Sequence, residues 1–526
     1  MAAVVSLAFR VVIVALIFAG SVADVIAQDR AAEESPLRIG DRSCLFLDDR
    51  FIAQQSGLKR TWHQGQPRAE PAIQATEKWE KWPHLFGSVL FDPVTKLYKM
   101  WYEDLPGPGA VFYAESQDGK TWVKPKLELI ELHGSRSNNC VLLPAELPNV
   151  FLDPQAADSA NRFKMLAWCN NVASEGKKWA GHVLWQSGDG IHWRAAANFP
   201  LPETTDAGNP RTVRDTNQVA CDPLGSRYFG TFRTFPLHPG LPGWYRDEKY
   251  QFTVGEGGHR RGVGVSASKS MTDGWPKIVT VLQADDKDDA KVRLLSRGPE
   301  PDFAELYAMP FFAWGNHYLG VVSLLFQVDG MNDTVEGGGD LQLTFSHDGR
   351  TWHRQPDRQT LIAPSPTKLV PVYSACNSPL ELGDEMWMYY TEAESAHPKP
   401  HHKAFIRAVV WRREGFVSLD AAERGTLTTK PLVLEGDRLM LNLLATGDGS
   451  VRVAILDERG RLLPGFDVSD CDPLRGDQVR GVLHWGGKSD VSQLKGRTVA
   501  LKMALSRCRL FSFRVSNSVT IPQNRR

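Results

Sequence analysis

The sequence predicts an all-β protein in which a five-bladed β-propeller is followed by a small β-sandwich. Three observations support this fold class: a turn motif recurs along most of the chain, an aromatic strand pattern precedes the turns, and short strands without the motif follow residue 424. No helical periodicity of apolar residues separates the repeats. Strand-rich repeats of this kind are typical of propellers, in which each repeat forms one four-stranded blade.

The repeated turn has the pattern Ser-x-Asp-Gly-x-x-Trp. Glycine takes a positive φ freely and aspartate accepts hydrogen bonds from the amides of its own turn, so Asp-Gly favours a tight hairpin. The tryptophan is expected to pack back on the sheet. Three complete copies occur at 116–122, 187–193 and 346–352, and a degenerate copy with an insertion occupies 268–275.

An Asp-Pro turn and an aromatic strand precede the repeated turn in three units, at Asp92, Asp153 and Asp222. Two further units, 306–352 and 378–411, lack Asp-Pro but keep the strands. Together these units predict five blades within residues 40–423, followed by a sandwich at 424–518. Residues 44–52 are expected to add a strand to the last blade and close the ring. A sixth blade would need strands within 236–261, whose glycines, prolines and charges favour a rim loop.

The N-terminus has the pattern of an export signal. Arg10 precedes the apolar run 11–20, and small residues follow at Val25 and Ala27. Residues 1–27 are therefore predicted to be a signal peptide cleaved after Ala27, which implies a secreted or periplasmic protein with no membrane attachment after cleavage. An uncleaved N-terminal anchor is the alternative, although the apolar run is shorter than a membrane-spanning helix.

Charge and cysteine content limit the partners. Lysine plus arginine total 61 and aspartate plus glutamate also total 61, with no long block of either sign, which argues against nucleic acid or an anionic membrane as a partner. The seven cysteines are scattered without zinc-site spacing, and Cys471 with Cys508 is the one pair worth testing as a disulfide. We expect no cofactor, and the sequence leaves open a structural calcium ion in the channel.

Two acids break the repeat and are the candidates for chemistry. Aspartates that recur at the same place in several blades serve the turns, whereas Asp215 and Glu305 occur once each on predicted inner strands. Two carboxyl groups that face one cleft suit glycosidic bond cleavage, which needs a proton donor and an ionised carboxylate. The alternative is a solvated strand end or a structural ion pair with Arg214, Arg233 or Arg297.

At these residues the chain resembles the five-bladed glycosidases of the arabinanase, levansucrase and invertase type, glycoside hydrolase families 32 and 43. Arg214-Asp215-Thr216 resembles the Arg-Asp-Pro of family 32, and Glu305-Leu306 resembles its Glu-Cys at the glutamate alone. The resemblance implies a channel-facing carboxylate triad, with Asp215 orienting the substrate and stabilising the transition state and Glu305 as general acid. It also implies a carbohydrate substrate and a C-terminal β-sandwich.

The third acid of that triad is missing from its usual motif. The comparable strand reads Trp82-Pro83-His84-Leu85 and carries no carboxylate. Asp49, on the expected ring-closing strand, is the catalytic substitute that we assign, with Asp48, Glu103 and Asp104 as further substitutes. Residues expected to bind the substrate are Arg60, His63, His84, Arg214, Asn217 and Trp82.

The predicted function is a secreted glycoside hydrolase with a carboxylate-lined site at the propeller axis. Two alternatives stay open. One is a carbohydrate-binding propeller without catalysis, which the incomplete triad favours. The other is a sialidase-like hydrolase, because the repeated turn resembles the Asp box of sialidases; its arginine cluster and tyrosine nucleophile would come from Arg60, Arg233, Arg261 and Tyr373.

Overall fold

The computed structural model describes residues 35–104, 109–174, 177–203, 216–222, 224–225, 227–246, 252–293, 303–327, 339–367, 369–375, 377–394 and 403–517. The predicted signal peptide lies outside these ranges. The chain divides into two compact units, Trp62–Phe416 and a second unit from the described residues of Met1–Thr61 and Val417–Arg526. Among the described residues, no helix is long and apolar enough to cross a membrane.

Five short strands open the described chain: β1 (Leu37–Arg38), β2 (Cys44–Leu45), β3 (Ile52–Ser56), β4 (Lys59–Trp62) and β5 (Gln66–Pro67). The first two four-stranded blades follow. Blade 1 contains β6 (Pro83–Asp92), β7 (Leu97–Asp104), β8 (Ala110–Ser116) and β9 (Cys140–Leu142). Blade 2 contains β10 (Glu146–Leu152), β11 (Phe163–Ser174), β12 (Lys177–Ser187) and β13 (Arg194–Asn198), with a 3-10 turn at Ser159–Asn161.

Blade 3 is built from β14 (Gln218–Cys221), β15 (Tyr228–Thr234), β18 (Gly262–Ser268) and β19 (Val279–Leu282). Between its second and third strands, β16 (Pro242–Arg246) and β17 (Phe252–Glu256) form a separate two-stranded ribbon. The segment that we expected to be a rim loop therefore contains two strands, but they pair with each other and form no sixth blade. A single α-helix of the described residues, α1 (Asp286–Arg293), follows blade 3.

Blade 4 consists of β20 (Phe303–Ala308), β22 (His317–Gln327), β23 (Gly339–Ser346) and β24 (Trp352–Arg354), with β21 (Phe311–Trp314) paired to β22. Blade 5 consists of β25 (Val370–Ser374), β27 (Glu385–Ala393), β28 (Ala404–Arg412) and, as its fourth strand, β5; β26 (Leu380–Leu382) pairs with β27. The predicted five-bladed propeller is confirmed.

The ring is closed by β5 and not by residues 44–52 as predicted. Pro67 of β5 lies opposite Val409 of β28. The preceding residue Gly65 permits this approach, because a Cβ atom there would lie 2.3 Å from the Trp411 ring. Residues 44–47 are apolar and almost fully buried, and Cys44 in β2 pairs with Phe513 instead. An apolar run of this kind fits the core of either unit, so its pattern alone did not identify its partner.

The repeated turns have the hydrogen bonds that the motif predicts. In the copy at 346–352, Asp348 accepts the amides of Arg350 at 2.7 Å and Thr351 at 2.8 Å, and Gly349 has a φ of +74°. Trp352 donates its indole N–H to the Gly349 carbonyl at 3.0 Å. The copies at 116–122 and 187–193 repeat the two amide bonds to aspartate. The copies at 187–193 and 346–352 close the hairpin between the third and fourth strands of their blades. The copy at 116–122 follows the third strand of blade 1 and closes a short hairpin in which Glu115 pairs with Val123, ahead of the fourth strand.

The aspartates of the Asp-Pro turns connect adjacent blades. Asp92 binds Arg162 through both carboxylate oxygens, at 2.5 and 2.7 Å. Asp153 accepts the Tyr228 hydroxyl at 3.0 Å. In the same way Asp222 accepts the Tyr318 hydroxyl at 2.8 Å. Each partner belongs to the next blade, so these buried acids belong to the scaffold, as their recurrence predicts.

The second unit contains β29 (Val417–Thr429), β30 (Leu432–Val433), β31 (Arg438–Asp457), β32 (Asp477–Val482) and β33 (Thr498–Ser516), with a 3-10 turn at Ser492–Leu494. Together with β1–β4 they form a nine-stranded hydrogen-bonded set. Strand β33 lies between β29 and β31, and alternate side chains of all three strands fill an apolar core. The predicted sandwich arrangement stays a prediction. Cys471 and Cys508 are free thiols in this unit.

Candidate active site

The innermost strands of the blades bring aromatic side chains together at the propeller axis. Phe86 of β6 lies 4.8 Å from Tyr373 of β25, and Tyr307 of β20 lies 5.5 Å from Tyr373, measured between ring centroids. Leu147 of β10 packs against the same cluster. Next to β14, the Thr216 hydroxyl donates to the Tyr307 carbonyl at 3.0 Å. All five blades therefore contribute to this group. We define the axial cluster as these five residues, Phe86, Leu147, Thr216, Tyr307 and Tyr373, together with Glu103, Arg233, Arg261 and Glu305.

Glu305 lies on β20 and is fully buried. One carboxylate oxygen accepts the backbone amide of Arg261 at 2.9 Å. The other accepts the Arg261 guanidinium at 2.6 Å and the Gln327 side-chain amide at 2.7 Å. The structural alternative predicted an arginine partner for Glu305, and the described structure has Arg261 in that place rather than Arg233, while Arg214 and Arg297 lie outside the described residues. Both oxygens of Glu305 are therefore occupied by donors from the protein.

Two guanidinium groups lie over the ring of Tyr307. Their central carbons are 5.6 Å (Arg233) and 5.5 Å (Arg261) from the ring centroid, within the range of cation–π attraction. Burial, together with the positive charge of Arg261, lowers the pKa of Arg233 to about 10. Burial is the largest influence on Arg261 and acts in the same direction, but the Glu305 carboxylate, Tyr307 and Tyr373 together raise the pKa of Arg261 above its ordinary value. This side of the cluster is therefore cationic.

Glu103, the penultimate residue of β7, has different surroundings. Its side chain is 2 % exposed, and one carboxyl oxygen accepts the backbone amide of Leu147 at 2.8 Å. Among the described residues this amide is the one hydrogen-bond partner of the Glu103 side chain, so the second carboxyl oxygen has no hydrogen-bond partner among them. Burial raises the pKa of Glu103 from its ordinary value of 4.5 to about 8, with the Leu147 amide opposing the shift and the Glu146 and Asp104 carboxyls adding to it. Glu103 therefore holds a proton at neutral pH.

The backbone at Leu147 is strained where it binds Glu103. Leu147 has a φ of +56°, a backbone conformation that residues other than glycine seldom adopt. The pairing register between β10 and β11 shifts between Glu146 and Asn149, so Leu147 lies within an irregular stretch of the inner strand. Such outliers cost about 1–3 kcal/mol and are concentrated at functional sites. The strain marks this end of the axial cluster as a candidate site.

Asp104 follows Glu103 in the sequence, and Glu80 is near enough to contribute to the raised pKa of Asp104. Both carboxyls, however, bind groups that hold the fold in place. Asp104 accepts the amides of Lys81 and Trp82, each at 2.8 Å, and burial raises its pKa to about 7. Glu80 forms an ion pair with Lys124 at 2.7 Å. These bonds fix the segment that leads into β6. Of the substitutes for the missing acid, Glu103 alone is a member of the axial cluster.

The structure brings four of the predicted site residues to the axis. Besides Glu305, His84 of β6 lies with its ring 6.0 Å from Tyr373 and its Nδ1 2.7 Å from the Trp82 carbonyl. Trp82 belongs to the same apolar group as Tyr373. The Asn217 side-chain oxygen accepts the amide of Arg233 at 3.3 Å.

The other predicted residues have different positions. His63 lies beside Trp411 of β28, the third strand of blade 5, because its carbonyl accepts the Trp411 indole N–H at 3.1 Å. Asp49 and Arg60 belong to the second unit, where they form an ion pair with each other. The reason for choosing Asp49, a place on the ring-closing strand, is wrong, since β5 closes the ring. Asp215 and Arg214 lie outside the described residues.

Several members of the axial cluster were not assigned from the sequence. Tyr307 is two residues from Glu305 on the same strand, so alternation of side chains would have placed both on one face. Leu147 has no sequence signal, because its contact with Glu103 joins two blades. The same holds for Gln327, which lies outside the cluster and binds Glu305 from the neighbouring strand. Of the residues considered for a sialidase-like site, Arg233, Arg261 and Tyr373 do gather around Tyr307, whereas Arg60 lies in the second unit.

No protein-family model and no curated protein matches the chain. Solved structures that resemble it include a thermostable family-43 glycoside hydrolase, with 11 % identity, a TM-score of 0.42 and coverage of 65 % of this chain and 95 % of that chain. A family 32 β-fructofuranosidase from Bombyx mori has 11 % identity, a TM-score of 0.36 and coverage of 85 % and 95 %. An N-acetylgalactosamine deacetylase from F. plautii has 14 % identity, a TM-score of 0.40 and coverage of 69 % and 97 %.

Two of these solved structures are glycoside hydrolases of families 43 and 32, the families that the sequence resembles.

Proposed function

We propose that this chain hydrolyses glycosidic bonds at the axial cluster. The observation that carries the proposal is the contrast between two buried carboxyl groups of one cluster. Glu305 is bound to a guanidinium and an amide through both oxygens, whereas Glu103 has one oxygen without a protein partner among the described residues and a pKa raised to about 8. In glycosidases, different surroundings of two carboxyl groups usually decide which one acts as the acid and which one as the base or nucleophile.

In this proposal Glu103 takes the general-acid role that the resemblance gave to Glu305. Glu103 donates its proton to the glycosidic oxygen as the bond to the anomeric carbon breaks. Water adds to that carbon and gives its proton to an ionised carboxylate, for which Asp215 is the sequence candidate. Glu305 acts as a positioning residue, because it fixes Arg261 against Tyr307, where the guanidiniums and tyrosines surround the sugar.

The proposal includes the place of action. Residues 1–27 have the pattern of a signal peptide, so we propose that the chain acts outside the cytoplasm on poly- or oligosaccharides. Comparison of the mass of the mature protein from its native host with that of the full chain tests this part. A mature N-terminus after Ala27 supports export with cleavage of a signal peptide, and an intact N-terminus contradicts that cleavage.

The hydrolytic proposal is tested with a panel of oligosaccharides and aryl glycosides. Wild-type protein is expected to release sugar from at least one member of the panel. Glu103→Gln is expected to lower turnover about a hundredfold or more, the usual size of a general acid–base contribution. Glu305→Gln is also expected to lower turnover, because it removes the ion pair that positions Arg261. Glu131→Gln, an exposed carboxyl in the loop between β8 and β9, is the matched control and should retain full activity. Unchanged turnover in both axial variants would contradict the assignment.

A second candidate is carbohydrate binding without hydrolysis. It is favoured by the saturation of Glu305, whose two oxygens already bind three protein donors and whose side chain is fully buried. Calorimetry on the same panel separates the two functions. Binding heat without product from any glycan supports the binding function, and product formation that depends on Glu103 contradicts it.

A further inference from the structure

A cavity on the second unit lies outside the propeller. It has a volume of about 680 Å³ and is lined by nine residues, Ser56, Arg424, Gly425, Thr426, Ser450, Arg452, Ala504, Leu505 and Ser506. This volume is within the range of ligand pockets, roughly 300–1,000 Å³. Every lining residue belongs to the second unit, so the cavity is separate from the axial cluster.

Strand register explains how these residues reach one surface. Ser506 of β33 lies between Arg424 of β29 and Ser450 of β31. Two residues along, Ala504 lies between Thr426 and Arg452. Side chains two apart on a strand share a face, so small side chains form the floor of the cavity and an arginine stands on each flanking strand.

The opposite face of the same strands holds the unit together. Leu427, Val451, Val453 and Met503 alternate with the floor residues and belong to the apolar core. Substitutions on the cavity face therefore leave the core side chains in place. The small size of the floor side chains, three serines among them, is consequently not required by packing beneath the sheet.

Irregular pairing adjoins one end of the cavity. The register of β29 against β33 shifts between Ala421 and Arg424, and that of β31 against β33 shifts between Ala445 and Ser450. Arg507, which lies between the two shifts, has a φ of +40°. Bulges bend and twist the strands that contain them and are common beside binding sites. Two bulges that face each other across β33 account for a concave surface on an otherwise pleated sheet.

The charge of the cavity selects an anionic ligand. None of the nine lining residues is acidic, and two are arginines. Arg452 is anchored, because its guanidinium donates to the carbonyls of Cys471 and Val468. Arg424 is exposed, and its guanidinium makes no hydrogen bond or ion pair with another described residue. Lys502 continues the floor row of β33 and is exposed. Guanidinium groups bind carboxylate and sulfate oxygens through paired N–H donors.

We propose that this cavity binds an acidic oligosaccharide, one that carries carboxylate or sulfate groups on successive sugars. Strands β29 and β31 are two interstrand spacings apart, about 10 Å, so Arg424 and Arg452 can each meet a different acidic group of one chain. The serine and threonine hydroxyls of the floor bind sugar hydroxyls. No aromatic ring lines the cavity for stacking on a neutral sugar, so the charge of the ligand decides its affinity.

The test measures binding by calorimetry with the full chain and three probes: tri-galacturonic acid, the neutral trisaccharide maltotriose of equal length, and sodium sulfate. Tri-galacturonic acid is expected to bind at least about tenfold more tightly than either of the other two. Raising the NaCl concentration from 50 to 500 mM should weaken that binding, because exposed guanidiniums are screened by salt. Equal affinity for the acidic and neutral trisaccharides, or for sulfate alone, would overturn the proposal.

Three variants locate the binding. Arg424→Glu reverses the charge of an exposed residue, and Ser506→Trp fills the floor without changing charge; each is expected to weaken tri-galacturonic acid binding about tenfold or more. Arg459→Glu, on the exposed turn between β31 and β32, carries the same charge change outside the cavity and should bind like wild type. Binding that is lost equally in the control, or unchanged in both cavity variants, contradicts the assignment. Because the readout is binding and not turnover, the result is independent of hydrolysis at the axial cluster.

Discussion

Glu103 and Glu305 have the same side chain and belong to the same cluster, yet their neighbours give them different properties. Glu305 faces a guanidinium, and its carboxylate is held by three donors. Glu103 is buried with one amide as its described hydrogen-bond partner, so burial is the largest influence on its pKa. An acid without a countercharge keeps its proton, which is the state that a general acid needs. The difference therefore assigns roles that residue type alone does not.

The raised pKa of Glu103 predicts how stability depends on pH. In the unfolded chain Glu103 ionises near pH 4.5, whereas in the folded chain it keeps its proton up to about pH 8. The folded state thus binds more protons between these values, and this group makes stability fall as the pH rises through that window. Glu103→Gln removes the effect, so its free energy of unfolding should rise relative to wild type between pH 5 and pH 8, on the order of a few kcal/mol.

Urea unfolding of wild type and Glu103→Gln at both pH values measures this difference. Glu131→Gln, which replaces an exposed carboxyl, should show no such trend. A difference between Glu103→Gln and wild type that is the same at pH 5 and pH 8 would show that Glu103 is ionised in the folded protein.

At the scale of single elements, the turns were the most predictable part of the chain. Their hydrogen bonds lie within seven residues, so the Ser-x-Asp-Gly-x-x-Trp pattern contains nearly all the groups that form them. The turns also have contacts that no local pattern shows. Gly190 of blade 2 packs against Trp101 of blade 1, and its carbonyl accepts the Trp101 indole N–H at 2.7 Å. The motif predicts a hairpin, and the structure adds a contact between blades.

Gly190→Ala tests that contact. A Cβ atom at Gly190 would lie 2.5 Å from the Trp101 ring, and the φ of +81° is unfavourable for alanine as well. Gly383→Ala is the matched control, because Gly383 has a φ of +69° and no atom within 4 Å of its Cβ position. We expect Gly190→Ala to destabilise the protein by about 1–3 kcal/mol more than the control, measured by urea unfolding, since steric overpacking adds to the backbone strain. Equal losses would exclude the interblade contact as a source of stability.

Helix α1 depends on ion pairs more than on apolar burial. Asp289 binds Arg260 through both oxygens at 2.8 and 2.9 Å, and neither side chain is exposed. Asp289→Ala leaves the Arg260 charge buried without this partner and should lower the free energy of unfolding by about 3–5 kcal/mol. Asp286→Ala removes an exposed acid from the same helix and should cost less than about 1 kcal/mol. Similar losses for the two variants in denaturant unfolding would contradict the importance of the buried pair.

For the whole molecule, the repeat predicted the number of blades but not the closure of the ring. The blades can be recognised in the sequence because most of them contain a local turn motif. Closure of the ring instead pairs β5 with β28, more than 300 residues later in the chain. Nothing in Gln66–Pro67 resembles the repeat. The axial cluster has the same limitation, since Arg261, Tyr307 and Tyr373 come from three blades and meet only through the fold. Glu305 could be predicted because it breaks a repeat, whereas Glu103 could be predicted only as a substitute for the missing acid.

Closure by β5 leads to a prediction for the propeller as a whole. Gly65→Ala places a methyl group against Trp411 and Val409, so it should loosen the β5–β28 pairing. Hydrogen exchange followed by mass spectrometry is expected to show faster exchange in Ala404–Arg412 of β28, with Thr498–Ser516 of β33 unchanged. Gly383→Ala serves again as control. Unchanged exchange in β28 would mean that β5 does not hold the last blade.

The most direct test of hydrolysis at the axial cluster is the dependence of kcat/KM on the leaving group. Aryl glycosides of the sugar found in the panel, with phenols of increasing pKa, are compared for wild type and Glu103→Gln. A general acid matters most for poor leaving groups, so the loss in Glu103→Gln should grow from small values to about a hundredfold or more as the phenol pKa rises. The same loss for every phenol, or no loss, would contradict Glu103 as the proton donor.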